Sequence, residues 1–384
     1  MKILLTTACA APPDTAIPRG EFGGTAHAAW FYIMDRYWSC GLRFIKQNVP
    51  EVELLEHPSW DEYVARLGEG WDVVGFSFPT CHIPVVISMV ERARRAGVSQ
   101  IWGGGYGAQT PGLEGTFDRL FIGQAEAQVA SALGRTLERV RHPPLLSWTG
   151  IHRGPRFRVS GLVFTSVGCS KTCTFCQTPV YCDGIHPIPL ESIEEVLVHY
   201  ARLGLRDIIV VDETFGLLRG HSERAVELFA RHGMRWRCMT CTGILRRWAR
   251  QWHRLGMVGM AAGVESLDSG VLEKIHKRGS NLGWMELVEI GRELNIAVSL
   301  YAMFGFPGDT EASITEHIEQ LHRIDVDFYR ARIVTPFPGT ALWREVEEQY
   351  GWLTRDYARF DTNQLVWRHP NLTPGALSRL LERA

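Results

Sequence analysis

The sequence predicts an α/β chain of two units, a doubly wound parallel sheet followed by a partial (β/α)6 barrel. Three observations carry that expectation. Strand and helix patterns alternate through the first 140 residues, and a second alternation of six units starts at Leu162. Between them lies a proline-bearing stretch with little periodic signal. At 384 residues the chain exceeds one average domain and suits two. The expected division is a first domain at 1–141, a linker at 142–160, a barrel at 161–345 and a helical or irregular cap at 346–384.

The elements follow in order. Lys2–Thr7 is an apolar run fit for a buried strand, and Ala28–Gln47 is a long amphipathic stretch. Glu51–Glu56 and Asp72–Phe78 (DVVGFSF) read as the second and third strands, the latter followed by a helix over Ile83–Ala96. Gln100–Trp102 leads into Gly103, Gly104 and Gly105, and Leu120–Ile122 is a fifth strand with a helix from Ala125. Parallel sheets of this kind bind ligands at the carboxyl ends of their strands. His142–Ser160 contains Pro143, Pro144 and Pro155 and reads as the linker. Barrel strands are expected at 162–168, 207–213, 235–242, 258–266, 297–304 and 328–335, with helical patterns such as IEEVLVHYARL between them.

Composition narrows the function. Hydrophobic residues make up 45% and charged residues 22%, an ordinary globular balance. A net charge of -1, from 41 basic and 42 acidic residues, lacks the basic footprint of a nucleic-acid binder. No apolar run is long enough to span a membrane. The opening MKILLTTACAAPPD resembles a first strand more than a signal peptide, so a cytoplasmic protein is expected. Nine cysteines, three of them tightly clustered, point in a reducing compartment to metal instead of disulfides.

That cluster is Cys169, Cys173 and Cys176, in Ser166-Val-Gly-Cys-Ser-Lys-Thr-Cys-Thr-Phe-Cys. It follows a strand and so forms a loop at the carboxyl edge of the barrel. Three thiolates can wrap one corner of a 4Fe-4S cluster, which ordinarily takes four cysteines. With no fourth local cysteine, one iron is left for the amino and carboxylate groups of S-adenosylmethionine (SAM). A zinc knuckle is the competing reading, but zinc favours four ligands in paired spacing. Cys-x3-Cys-x2-Cys with an aromatic residue, Phe175, before the last cysteine is the radical SAM signature, and the segment resembles that superfamily.

The whole chain resembles the radical SAM subgroup that carries an N-terminal cobalamin-binding-type, Rossmann-like domain. The matching pieces are DVVGFSF, WGGGYGAQTPG, FIGQAE, the cysteine loop, VDETFG, GVES, GFPGDT and TPFPGT. The resemblance implies cofactor contacts from Phe175 in the cysteine loop, from Asp212, Glu265 and Ser266 at strand ends, and from Gly305 and Pro307 near the adenine. It also implies close approach of a corrin nucleotide tail to Ser77, Gly103 and Gly104. Asp212 or Glu213 could instead cap the next helix, and the glycines could serve plain turns. Substrate contacts are expected from Glu213, Tyr301, Arg330 and Arg332. There are departures: Asp-x-His-x-x-Gly is missing, the usual Gly-Glu-Gly-Glu loop reads Gly123-Gln-Ala-Glu126, and Pro79 removes a backbone donor. Cobalamin is therefore left open, with His27 and His82 as alternative axial ligands or ordinary loop histidines.

The remaining cysteines read as structural. Cys238-Met-Thr-Cys241 falls on an expected strand, where positions i and i+3 face opposite ways. Cys182 could approach the cluster loop or be a spare buried thiol; Cys9, Cys40 and Cys81 lack partner spacing. Trp30, Trp38, Trp236, Trp248 and Trp252 fit core packing.

The expected function is reductive cleavage of SAM to a 5'-deoxyadenosyl radical that abstracts hydrogen from a polar small-molecule substrate, with a flavodoxin or ferredoxin as electron donor. Elimination, dehydration or redox change is the first expectation for the outcome. Cobalamin-dependent C-methylation is the alternative, and a non-catalytic cobalamin or cluster sensor the third.

Overall fold

The computed structural model describes residues 1–9, 39–150, 157–277, 283–324 and 326–384. His27, Trp30, Trp38 and most of the expected helix at 28–47 lie outside them; its described part is a helix over Cys40–Asn48.

The first unit is a five-stranded, all-parallel sheet: β1 (Ile3–Thr7), β2 (Val52–Leu55), β3 (Val73–Ser77), β4 (Gln100–Gly104) and β5 (Arg119–Phe121), in the order β2-β1-β3-β4-β5. Registers such as Thr7 opposite Ser77, and Ser77 opposite Gly104, bring the strand ends to one edge. Leu4 and Val74 pack on one face, and Ile3, Leu5 and Trp102 on the other, so both faces are buried. Its helices start where the sequence dictates. Ser59 accepts the Glu62 N–H and Glu62 answers to the Ser59 N–H, a reciprocal cap on Trp60–Leu67.

The second unit is a seven-stranded sheet in the order β14-β13-β12-β11-β10-β7-β6. Its parallel strands are β7 (Phe157–Val163), β10 (Asp207–Val210), β11 (Arg235–Met239), β12 (Met257–Glu265), β13 (Ala297–Phe304) and β14 (Phe328–Ile333). The helix Leu190–Arg202 shows how its layers form. Ile193, Val196, Leu197 and Tyr200 recur at helical spacing and bury one stripe against β7. On β13, Val298, Leu300, Ala302 and Phe304 are buried in that core, while Ser299, Tyr301 and Met303 are half-buried on the opposite, inward face.

Two sequence expectations change. The stretch read as a linker is largely a hairpin: β6 (Leu145–Gly150) pairs antiparallel with β7, which begins at Phe157. Pro143 and Pro144 precede β6 without interrupting its ladder, and Pro155 lies outside the described residues. The strand expected at 162–168 is two pieces. β7 ends at Val163, and β8 (Ser166–Gly168) pairs antiparallel with β9 (Ile185–Pro187) in a separate small sheet. No helix among the described residues is long and apolar enough to cross a membrane.

Candidate active site

Asp212 shapes the approach to the cysteine loop. It is fully buried after β10, and its two oxygens accept hydrogen bonds from the Thr165 N–H (2.7 Å), the Thr165 hydroxyl (2.6 Å) and the Ser166 hydroxyl (2.7 Å). Burial pushes its carboxyl upward, opposed by these bonds. Asp212 fixes the backbone that enters β8, and its oxygens are already taken. Its neighbour Glu213 accepts the Gly168 N–H at 2.9 Å, directly ahead of Cys169, and burial raises its pKa too.

The three cysteines follow on that fixed arm. The Thr214 hydroxyl lies 3.6 Å from the Cys169 sulfur, and the Lys171 N–H points to the same sulfur at 3.5 Å. The Thr174 N–H donates to the Ile275 carbonyl, and the Leu342 N–H to the Thr174 carbonyl, tying the loop to both walls of the barrel. Phe175 packs edge-on against Phe306, ring centres 5.4 Å apart. Burial pushes the Cys173 thiol up to about 11, while Lys277 opposes that shift; the Cys176 and Cys169 charges act in the same direction as burial. The three sulfurs therefore share one electrostatic neighbourhood, and metal binding would draw off their protons. Among the described residues no three His, Cys, Asp or Glu side chains converge as ligands of a single ion do. A cubane cluster takes each thiolate on a different iron and needs no such convergence.

Glu265 ends β12 at a bulge with φ of +55° and is buried. It pairs with Lys277, which no spacing or motif marks in the sequence. The pair lies against Gly263, where an added Cβ would sit 2.6 Å from the Lys277 Nζ, so the glycine makes room for it. Ser266 spends its hydroxyl accepting the Asp268 N–H at 3.1 Å. Gly305, ahead of Pro307, has φ of +92°, its N–H donates to Asp309, and a Cβ there would touch Leu377. Its glycine thus answers a turn and the C-terminal helix. Tyr301 faces inward beside Arg330 in register, and Arg332 donates to the Asn363 side chain at 2.7 Å.

The first unit meets the cysteine loop directly. Gln177, the residue after Cys176, donates to the Tyr106 carbonyl (3.0 Å) and the Pro338 carbonyl (3.2 Å). The Gly105 N–H donates to the Tyr181 hydroxyl at 3.1 Å, and the Tyr106 and Tyr181 rings lie 4.4 Å apart. At Gly103 a Cβ would fall 2.8 Å from Phe117 and Leu120, so packing within the unit requires a glycine there. Gly104 would only touch the Phe121 carbonyl at 3.4 Å, and Ser77 borders the Gly105 turn. At this same edge the Thr80 and Thr110 hydroxyls, the Gln109 amide oxygen and one Glu126 oxygen are buried with no hydrogen-bond partner among the described residues.

Cys182 lies close to the loop: a Cβ on Gly168 would sit 2.9 Å from its own Cβ. Cys238 is buried in the core, and Cys241 lies beyond β11 at the start of the helix Thr242–Arg254. His82 is an exposed residue at a helix start.

Residues 163–321 match the model of the radical SAM superfamily. An uncharacterized methyltransferase of Pyrococcus horikoshii is 25% identical over 233 residues, 58% of this chain and 50% of the relative. The bacteriochlorophyllide d C-12(1)-methyltransferase of Chlorobaculum tepidum is 26% identical over 217 residues, 55% of this chain and 47% of the relative. The chain thus spans about half the length of the curated relatives it matches. The radical SAM methyltransferase TsrM of Kitasatospora setae, solved with cobalamin and a [4Fe-4S] cluster bound, superimposes with a TM-score of 0.70 at 15% identity. That match covers 100% of this chain and 91% of TsrM, and it shows a shared fold. Residues 163–321 thus carry a radical SAM domain, the domain type that works with a 4Fe-4S cluster and SAM, and a Rossmann-like unit lies ahead of it in a fold shared with TsrM.

Proposed function

We propose that the chain is a cobalamin-dependent radical SAM methyltransferase acting on a small molecule held inside the barrel. The observation that carries this reading is the junction of the two units. There the cysteine loop is bonded to the strand-end loop of the first sheet through Gln177 and Tyr106. Two cofactors bound on either side of that junction would lie close to each other.

The residues present fit both groups. Three thiols from one short turn, with no fourth in the loop, suit a cluster with one open iron. The orphaned acceptors of Thr80, Thr110, Gln109 and Glu126 suit a corrin, whose rim carries amide N–H donors. When bound, the cluster and SAM supply one-electron cleavage of the sulfonium, and cobalamin supplies a transferable methyl group. Cys169, Cys173 and Cys176 would hold the cluster. Glu265 and Lys277 place one negative and one positive charge beside Cys173, matching the amino and carboxylate groups of SAM. The barrel walls exclude water and orient the substrate against them. A one-electron donor of the flavodoxin or ferredoxin class is required.

The elimination or dehydration expected from sequence gives way to methyl transfer, because the relatives and the solved structure above are methyltransferases by name. Anaerobic reconstitution with iron, sulfide and hydroxocobalamin tests the reading. One bound corrin per chain, together with S-adenosylhomocysteine formed in the presence of substrate, is expected. A SAM-cleaving, cluster-loaded protein that takes up no corrin would refute it.

A further inference from the structure

At the floor of the barrel, among the described residues, three arginines of neighbouring strands gather around one carboxylate. Asp207 opens β10 with its side chain buried, and both its oxygens are taken. Arg158 Nη1 donates to one at 2.6 Å and Arg235 Nη2 to the other at 2.8 Å. Arg237 follows two residues later on β11. Its flanking neighbours Trp236 and Cys238 are buried against the helices; Trp236 packs at a tilt on Phe229 and Trp252, ring centres 5.6 Å away in each case. Strand alternation turns Arg237 to the inner face, about 7 Å above Arg235.

Its stem crosses Gly259 of β12, where an added Cβ would lie 3.1 Å from both Cγ and Cδ of the arginine. The inward positions of β12 are Gly259, Ala261 and Gly263, and this small-residue wall leaves the interior open beside the guanidinium. Arg237 Nη1 is buried with no hydrogen-bond partner among the described residues. Three guanidinium groups thus face one carboxylate, and the carboxylate is already shared by the other two. A buried N–H of a charged group that lacks an acceptor is costly unless something fills it.

We infer that Arg237 receives an anionic group of the substrate, a carboxylate or a phosphate, at the floor of the barrel. The reacting carbon is thereby held toward the cysteine loop at the open end. A planar guanidinium matches either oxyanion through paired N–H donors. The inference rests on the proposed reading that the barrel interior is the substrate cavity.

Calorimetric titration of the anaerobic, cofactor-loaded protein with inorganic phosphate and, separately, with succinate tests it. The native protein should show one saturable site for at least one of the two anions. Arg237→Met should weaken that site at least about tenfold, and Arg237→Lys should retain part of it. A phosphate response alone assigns a phosphorylated substrate, a succinate response alone a carboxylate. Without anion, Arg237→Met should be as stable as the native protein or more so, since it removes a guanidinium with an unsatisfied buried N–H. Absence of a saturable site for either anion in the native protein overturns the inference. So does an Arg237→Met protein that binds as tightly as native, or one that is destabilised without anion. Cluster content and SAM cleavage, measured on the same samples, separate this failure from failure of the proposed function. Native protein that holds its cluster and cleaves SAM but binds neither anion defeats only the inference drawn here.

Discussion

Gln177 donates its side-chain amide to the Tyr106 carbonyl at 3.0 Å, so the residue after the third cysteine is bonded to the glycine-rich loop of the other unit. The same nitrogen reaches the Pro338 carbonyl at 3.2 Å. One amide therefore joins the cysteine loop, the loop after β4 and the loop after the last barrel strand.

Gln177→Ala should leave two partly buried carbonyls without that donor. A cost of about 1–3 kcal/mol in denaturant stability is expected, together with faster loss of iron to a chelator. An unchanged iron-release rate would show that the cysteine loop does not depend on this bond.

Cys173→Ala should abolish SAM cleavage and lower bound iron sharply, because two thiolates cannot hold the cluster corner. Formation of 5'-deoxyadenosine above a cluster-free control in that variant would overturn the assignment of the loop.

Lys277→Met should be strongly destabilising, by about 3–5 kcal/mol, because it leaves the buried Glu265 carboxylate without its partner. Glu265→Gln combined with Lys277→Met should recover part of the loss. A double variant no better than the single one would mean that the pair does not act as a unit.

His142 gives a pH signature. It is buried, its Nδ1 lies 2.6 Å from the Pro143 carbonyl, and its Nε2 accepts the Phe164 N–H at 2.8 Å. Only the neutral ring satisfies both bonds. Burial lowers its pKa from 6.5 to about 4. Its contribution is therefore complete above the unfolded-state value of 6.5 and declines as pH falls from there toward 4. Native protein should lose about 2 kcal/mol more between pH 7 and pH 5 than His142→Gln loses, by urea titration. Equal losses would rule out His142 as the source.

Tyr200 supports the hairpin that sequence reading took for a linker. Its hydroxyl accepts the Leu145 N–H at 2.8 Å and also contacts the Leu145 and Leu162 carbonyls, at 2.7 and 2.8 Å. Its ring covers Gly161, where any Cβ would clash. Gly161→Ala should destabilise by about 1–3 kcal/mol, measured as a lowered denaturation midpoint at constant slope. A neutral result would mean that the ring moves aside freely.

The sequence alone determined the two α/β units and the cysteine loop, because both are local. Periodicity of two or 3.6 residues marks strands and helices, and the ligand spacing lies within eight residues. It also singled out Glu265, at a strand end beside a glycine. What only the tertiary structure decided are relationships across long separations. Asp212 is consumed by Thr165 and Ser166, Gly103 is filled by Phe117 and Leu120, and Lys277 and Gln177 acquire partners that no spacing announces. The hairpin at β6 and β7 was missed because its pairing depends on a neighbouring strand and on Tyr200, not on its own weak pattern. A side chain's chemistry depends on whether its hydrogen bonds are already spent, and that is settled by packing between elements distant in sequence.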